Sequence, residues 1–292
     1  MIAPVVSTQG LGKIIRGRII LHDVCVQASA GSVVGIIGKN GAGKTTLLEV
    51  LLGFSPATNG SSRLFGEDSF TLPAAVKARI GFVPQQDELV NLLAGEQQLA
   101  LTAALHGRWN HGLIRRLAAA WEVPVDRPIQ GLSGGERQKL STLLALGHEP
   151  ELLVLDEPVA SLDPLARRRF LQELLEIAAD RARTVLFSTH IVSDLERVAD
   201  QIWIVRDGRI AWAGALDGLK ESVVRLHIRA RRALAAPLPL PGLISQRIEG
   251  LRATAVVSEW REPELPRLRA VLDADIEVEP LGLEDLFVEF HS

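Results

Sequence analysis

SVVGIIGKNGAGKTTLLEVLLG, residues 32–53, decides the fold. The run SVVGII at 32–37 is apolar throughout, as a strand covered on both faces is. GKNGAGKT at 38–45 fits G-x-x-x-x-G-K-[ST], the phosphate-binding loop. TLLEVLLG continues as a helix. Strand, glycine-rich loop and helix in that order give the motif its mechanism. The glycines let backbone N–H groups turn inward around phosphate oxygens, and the helix offers its positive end. Gly38, Asn40, Gly41, Ala42, Gly43 and Thr46 form the cradle in this reading. Lys44 reaches the outer phosphates, and the Thr45 hydroxyl serves a Mg²⁺ ion.

Working outward, three more apolar runs read as strands: IGFV at 80–83, ELLVL at 151–155 and TVLFS at 184–188. Leu165, Phe170, Leu174 and Ile177 between the last two recur at helical spacing. Asp163 is placed to cap that helix and Pro164 suits its first position. Strands alternating with helices predict an α/β sheet. LLVLDE at 152–157 ends a strand in two acids, at the sheet edge where ligands bind. Asp156 is expected to serve Mg²⁺ and Glu157 to orient or deprotonate a water. IWIVRDGRIAWAG at 202–214 holds Asp207-Gly208 between two β-rich runs, a hairpin signal. Beyond about residue 220 lie a strand-like VVRLHIR, a Pro-rich AAPLPLPG at 235–242, a strand at 252–257, a helix near 264–272 and a strand at 275–278. These predict a small α+β appendage over 221–292.

Composition bounds the function. The 292 residues are 47% hydrophobic and 23% charged, the balance of a globular protein. A net charge of −3 gives no general attraction to nucleic acid or anionic lipid. The opening MIAPVVSTQG lacks the basic start and apolar core of a signal peptide. No uncharged run reaches the roughly 20 residues that span a bilayer, so a membrane role is expected to come through a partner. Cys25, the sole cysteine, fits a reducing compartment and is expected to be a small core residue. The arginines 167–169 are expected to be a solvated helix face.

The stretch LSGGERQ at 132–138 joins these motifs into one order: the phosphate loop, VPQ at 83–85, LSGGE, LLVLDE, SLD at 161–163 and STH at 188–190. This order resembles the nucleotide-binding domain of ABC transporters over about 5–220. The resemblance implies a P-loop α/β domain, about 1–220, with an inserted helical subdomain near 87–147. It implies ATP and Mg²⁺ as ligands. It implies that Ser133 and the Gly134 and Gly135 amides contact the γ-phosphate bound by a second copy. By the same resemblance, Gln85 touches Mg²⁺ or water and senses a membrane partner. Asp163 couples the two sites of a homodimer, and His190 binds the γ-phosphate. The ending LGLEDLFVEF at 281–290 resembles subunits of the exporter-type branch, which drive separate transmembrane permease subunits from the cytoplasmic face of the membrane. Import, or a soluble ATPase acting on ribosomes or DNA, are the rival readings. The chain has one copy of the domain and no sustained heptads, against the latter. Loss of Glu157 or His190 would mark a binding module without turnover, and both are present. One departure stands out: the family's adenine-stacking aromatic is replaced here, at the equivalent place, by Ile15 or Arg16. The chain has no tyrosine at all.

Overall fold

The computed structural model describes residues 3–180 and 183–291. They form two compact units, Met1–Ile210 and Ala211–Ser292. In the first, β1 (Val6–Ile15), β2 (Arg18–Val24), β3 (Gln27–Ala28) and β4 (Val33–Ile37) precede α1 (Lys44–Leu51). Then come β5 (Asn59–Leu64), β6 (Glu67–Asp68), α2 (Ala74–Lys77) and β7 (Ile80–Val83). Three helices follow: α3 (Gly95–Leu105), α4 (His111–Ala120) and α5 (Gly134–Leu146). The chain returns through β8 (Leu152–Asp156), α6 (Pro164–Asp180), β9 (Thr184–Thr189) and α7 (Val192–Leu195), then β10 (Gln201–Arg206), whose hairpin partner β11 (Arg209–Ala215) begins in this unit and continues into the next.

Two sheets hold α1 between them. One is antiparallel, in the order β2-β1-β5-β6 with β3 on β1. The other runs β11-β10-β4-β9-β8-β7, parallel from β10 to β7. Alternation along the strands sorts the core. Val34, Ile36, Val154 and Trp203 face α1 together with Leu11, Leu21 and Leu64 of the antiparallel sheet. The opposite face is covered too: a Cβ on Gly35 would meet Leu195 of α7 at 2.2 Å. The apolar runs therefore read as they do because water reaches neither side.

This strand order positions the site. The carboxyl ends of the neighbouring strands β4, β9, β8 and β7 lead into Gly38, His190, Glu157 and Gln85 respectively. The turn between β10 and β11 closes the arrangement. Asp207 and Gly208 both have positive φ, 48° and 75°, as the tight hairpin requires. A Cβ on Gly208 would strike the Ile20 carbonyl at 2.2 Å, so the turn also lies hard against β2.

The three helices between β7 and β8 are tied by side chains. Asn110 caps α4, accepting from the Leu113 N–H at 2.9 Å, and donates to Glu149 at 2.8 Å. His148, past the end of α5, meets the Ile80 carbonyl at 3.0 Å and stacks on His106 with centroids 4.3 Å apart.

The second unit contains α8 (Leu216–Ser222), β12 (Val224–Ala230), β13 (Leu243–Glu249), β14 (Arg252–Val257), α9 (Leu265–Leu272), β15 (Ala274–Pro280) and α10 (Leu283–Phe290). Its antiparallel sheet runs β13-β14-β12-β15. Leu226, Ile228, Ala255 and Ile276 pack with Leu268 and Leu272 of α9. The Pro-rich loop is no mere connector, because Leu238 and Leu240 enter this core.

Three expectations are corrected. Cys25 is exposed, with its sulfur accepting from the Gly10 N–H at 3.2 Å. Leu165 points outward at 61% exposure, although Phe170, Leu174 and Ile177 are buried as its helical partners. Arg167 is half-buried, 3.7 Å from Asp194, while Arg168 and Arg169 are solvated.

Candidate active site

The cradle starts where β4 ends. Gly38 must be glycine, because a Cβ there would lie 2.5 Å from the Val205 carbonyl. Gly43, with φ 107°, is the N-cap of α1. The first turn of α1 holds Lys44, Thr45 and Thr46, with no acidic side chain and no side-chain cap. Its N–H groups therefore face outward unneutralised, an arrangement that suits an anion. Ala42 is buried, and its carbonyl takes the Gly208 N–H at 3.0 Å, which pins the loop to the hairpin.

The loop opens into a cavity of about 580 Å³. Asn40, Gly41, Gly43, Lys44, Thr45 and Thr46 line one side, and Gln85 and Glu157 another. Arg18, Ile19, Ile20, Asp207 and Gly208 make the remaining wall. Lys44 is almost fully buried. Its Nζ donates to the Gly38 carbonyl at 2.9 Å and lies 3.4 Å from Glu157 Oε1. The other oxygen of Glu157 is 2.8 Å from His190 Nδ1. One carboxylate thus bridges a lysine and a histidine from different elements. Behind it, Asp156 is 1% exposed, and the Ser188 hydroxyl donates to its Oδ1. Glu157 itself has φ 50°, in the left-handed region that residues with a Cβ rarely occupy.

The donor set fits Mg²⁺. Thr45, Asp156 and Gln85 offer a hydroxyl, a carboxylate and an amide oxygen, the hard oxygens that ion prefers, and the phosphates of ATP supply more.

The remaining motif residues lie elsewhere. Ser133, Gly134, Gly135 and Asp163 do not line this cavity. Ser133 is the N-cap of α5. Its hydroxyl accepts from the Glu136 N–H at 3.3 Å, and Glu136 returns the bond to the Ser133 N–H at 2.7 Å. Those bonds hold the Glu136 carboxyl below the usual range. Gly134 and Gly135 lie against the SLD turn, with a Cβ on Gly135 meeting Leu162 at 2.9 Å. Asp163 caps α6, accepting from the Leu165 and Ala166 N–H groups at 3.0 Å each.

Several residues of the site escape the sequence reading. Arg137, inside LSGGERQ, grips Asp87 with two bonds of 2.5 and 2.9 Å and also reaches Asn91 at 2.9 Å. That pairing lowers the Asp87 carboxyl pKa. It ties the signature helix to the loop that carries Gln85. Ser188 is the second. Its only signal is its place in STH, two residues before His190. The third is the wall beside the cradle: Arg18 and Ile19 line it, whereas Ile15 and Arg16 do not.

A loop that cradles phosphate, an acid pair at the end of β8 and a separate capped LSGGE helix define an ATP-binding cassette. The comparisons agree. Residues 21–160 match the family described as ABC transporter. Over 220 residues the chain is 33% identical to YxlF, an uncharacterized ABC transporter ATP-binding protein of Bacillus subtilis (strain 168), covering 74% of this chain and 72% of that one. It is 32% identical over 232 residues to the Nod factor export ATP-binding protein I of Burkholderia lata, covering 76% and 74%. The solved structure of an ATP-binding subunit of an ABC transporter superposes with a TM-score of 0.66 at 28% identity, over 74% of this chain and 92% of that one. The chain belongs to the ABC transporter ATP-binding family, whose cassettes hydrolyse ATP. ABC ATPases dimerise, and in transporters they work with transmembrane components.

Proposed function

We propose that this chain powers export through separate transmembrane permease subunits, acting as a homodimer on the cytoplasmic face of the membrane. The observation that carries the reading is the placement of Glu157 between Lys44 and His190 inside the phosphate-loop cavity. A carboxylate there is in position to orient a water against a phosphate held by the loop. Lys44, now engaged with Glu157, exchanges that partner for the phosphates of ATP. His190 then keeps a hydrogen-bonding nitrogen between Glu157 and the terminal phosphate. Mg²⁺, held by Thr45, Asp156 and Gln85, would neutralise charge that builds on the phosphate oxygens. The helix end at Ser133, Gly134 and Gly135 closes the site of the other copy, and Asp163 lies beside that contact. ATP thus joins two copies, and hydrolysis parts them.

Export is favoured over import by the likeness of residues 281–290 to exporter-type subunits and by a relative named for Nod factor export. Among the described residues no helix is long and apolar enough to cross a membrane, so transport needs a partner. Its docking surface in this reading is Gln85 with residues 87–105. Val90, Leu92 and Leu101 are exposed there at 46%, 81% and 49%, whereas Leu89, Leu93 and Leu99 are half-buried. The partition into an ATP-binding domain over 1–220 and an accessory domain over 221–292 belongs to the same proposal, as does the absence of a nucleic-acid partner.

Glu157→Gln tests the reading. The amide keeps a hydrogen bond but cannot take a proton, so hydrolysis should fall by at least about a hundredfold. ATP with Mg²⁺ should still bind and should convert the variant from monomer to dimer on a sizing column. Wild-type turnover in the variant would remove Glu157 from the mechanism.

A further inference from the structure

Ser188, one residue before the end of β9, lies directly opposite Asp156 in the parallel register of β8 and β9. It is fully buried. Its hydroxyl donates to Asp156 Oδ1 and accepts the Glu157 N–H at 3.0 Å. Its own carbonyl takes the same N–H at 3.2 Å. A serine hydroxyl has one proton to give. Once that proton is committed to Asp156, only lone pairs remain for Glu157, so the two bonds fix each other's direction. The peptide they hold is the one with φ 50°, the left-handed region that a residue with a Cβ rarely occupies. Such backbone persists where its surroundings hold it. Two residues further on, His190 holds the carboxylate of the same Glu157. The end of β9 therefore grips Glu157 at both its backbone and its side chain, and Asp156 through its carboxylate.

We propose that Ser188 is a positioning residue for ATP hydrolysis, a single hydroxyl that aims Asp156 at the Mg²⁺ site and fixes the backbone that presents Glu157. The inference rests on the reading of Asp156 as the carboxylate that serves Mg²⁺. A serine that merely satisfied two buried polar groups would affect folding alone. A positioning serine affects the Mg²⁺-dependent part of binding and the chemical step, and leaves the rest.

The full-length wild type, Ser188→Ala and Ser188→Cys separate these roles. A fluorescent ATP analogue is titrated into each protein with EDTA and again with Mg²⁺, and ATP turnover is followed in parallel. The Ala variant is expected to bind Mg²⁺-free nucleotide within about twofold of wild type. It should lose about tenfold of the affinity that Mg²⁺ adds, and turnover should fall by about 10–100-fold, the range seen when partners of metal ligands are removed. The Cys variant keeps the volume with a weaker donor and should fall between the two. It also decides the matter if the Ala variant does not fold. Wild-type Mg²⁺ dependence and turnover in either folded variant would overturn the proposal. So would an equal loss of affinity with and without Mg²⁺, which marks a purely structural serine. If the wild type itself gains no affinity from Mg²⁺, the fault lies with the assignment of Asp156.

Discussion

In the function proposed above, the phosphate cradle and the LSGGE helix end both meet an anion, yet they differ in how finished they are. In the cradle, charge is already matched within the chain: Lys44 and Glu157 are buried against each other, and the exposed His190 meets the other carboxylate oxygen. At the helix end, Ser133 and Asp163 lie at the surface and spend their oxygens on local caps. Neither Ser133 nor Asp163 lines the cradle's cavity. The first gathers its charged groups from one chain. The second is a wall that lacks a room, and in the proposed dimer the cradle of a second copy supplies it.

The largest test of this contrast is kinetic. Lys44→Ala should abolish both nucleotide affinity and turnover, because it removes charge from the finished half. Ser133→Arg should leave ATP binding to the monomer within about threefold, yet cut turnover by about a hundredfold or more, as loss of transition-state contacts does. Equal binding defects in the two variants would erase the distinction. A smaller effect concerns the link between the halves. Arg137→Ala strips Asp87 of both its guanidinium bonds and should cost about 1–3 kcal/mol, seen as a fall of several degrees in Tm. It should also slow turnover more than it weakens ATP binding, since the Gln85 loop and α5 would move independently.

Acid should loosen the signature half through His148. Burial pushes its pKa down to about 4, and the neighbouring His106 and Arg183 reinforce the shift. The unfolded chain takes up that proton near pH 6.5, whereas the folded one resists until about pH 4. Stability from this group is therefore full above pH 6.5 and is lost as pH falls toward 4, at no more than about 1.4 kcal/mol per pH unit. His148→Gln should flatten that part of a melting-temperature profile. The smallest effect is at the base-facing wall. Ile19→Tyr should tighten nucleotide binding by about 1 kcal/mol, by analogy with bases stacked on aromatics in single-stranded nucleic-acid sites. Wild type should prefer ATP over GTP by less than about a hundredfold, or 2.7 kcal/mol. A larger preference in paired titrations would reveal an adenine pocket beyond Arg18 and Ile19.

What the sequence showed and hid follows from range. The parallel strands were legible because both faces are dry, so β4, β8 and β9 are buried along their whole length and mostly apolar. The strands β1 and β2 were not read, because their buried residues follow no period of two: Leu11, Gly12 and Lys13 are buried in a row, β2 buries only Leu21 and Val24, and β1 carries register shifts at Leu11, Lys13 and Ile14. In the appendage, β13 has no buried residue along its length and offers no period to read. Site residues within one motif were visible, since their spacing is local. Ser188 meets Asp156 across 32 positions and Arg137 meets Asp87 across 50. Only the strand order and helix packing bring those pairs together. The placement of Ile19 rather than Ile15 on the cavity wall turns on the hairpin of β1 and β2, which the sequence pattern left open.

The bond between Lys44 and Glu157 also governs what an idle site ignores. A lysine that already neutralises a carboxylate is a poor trap for stray anions, and its burial keeps bulk ions at a distance. An incoming group must bring enough negative charge to outbid a tethered glutamate whose effective concentration is high. Orthophosphate or sulfate, present at millimolar levels in many solutions, carries at most two charges near neutrality. A triphosphate carries about twice that, along one chain that also follows the loop's N–H groups. A cradle whose lysine is already paired should thus select first by valence and leave the background of small ions largely unread.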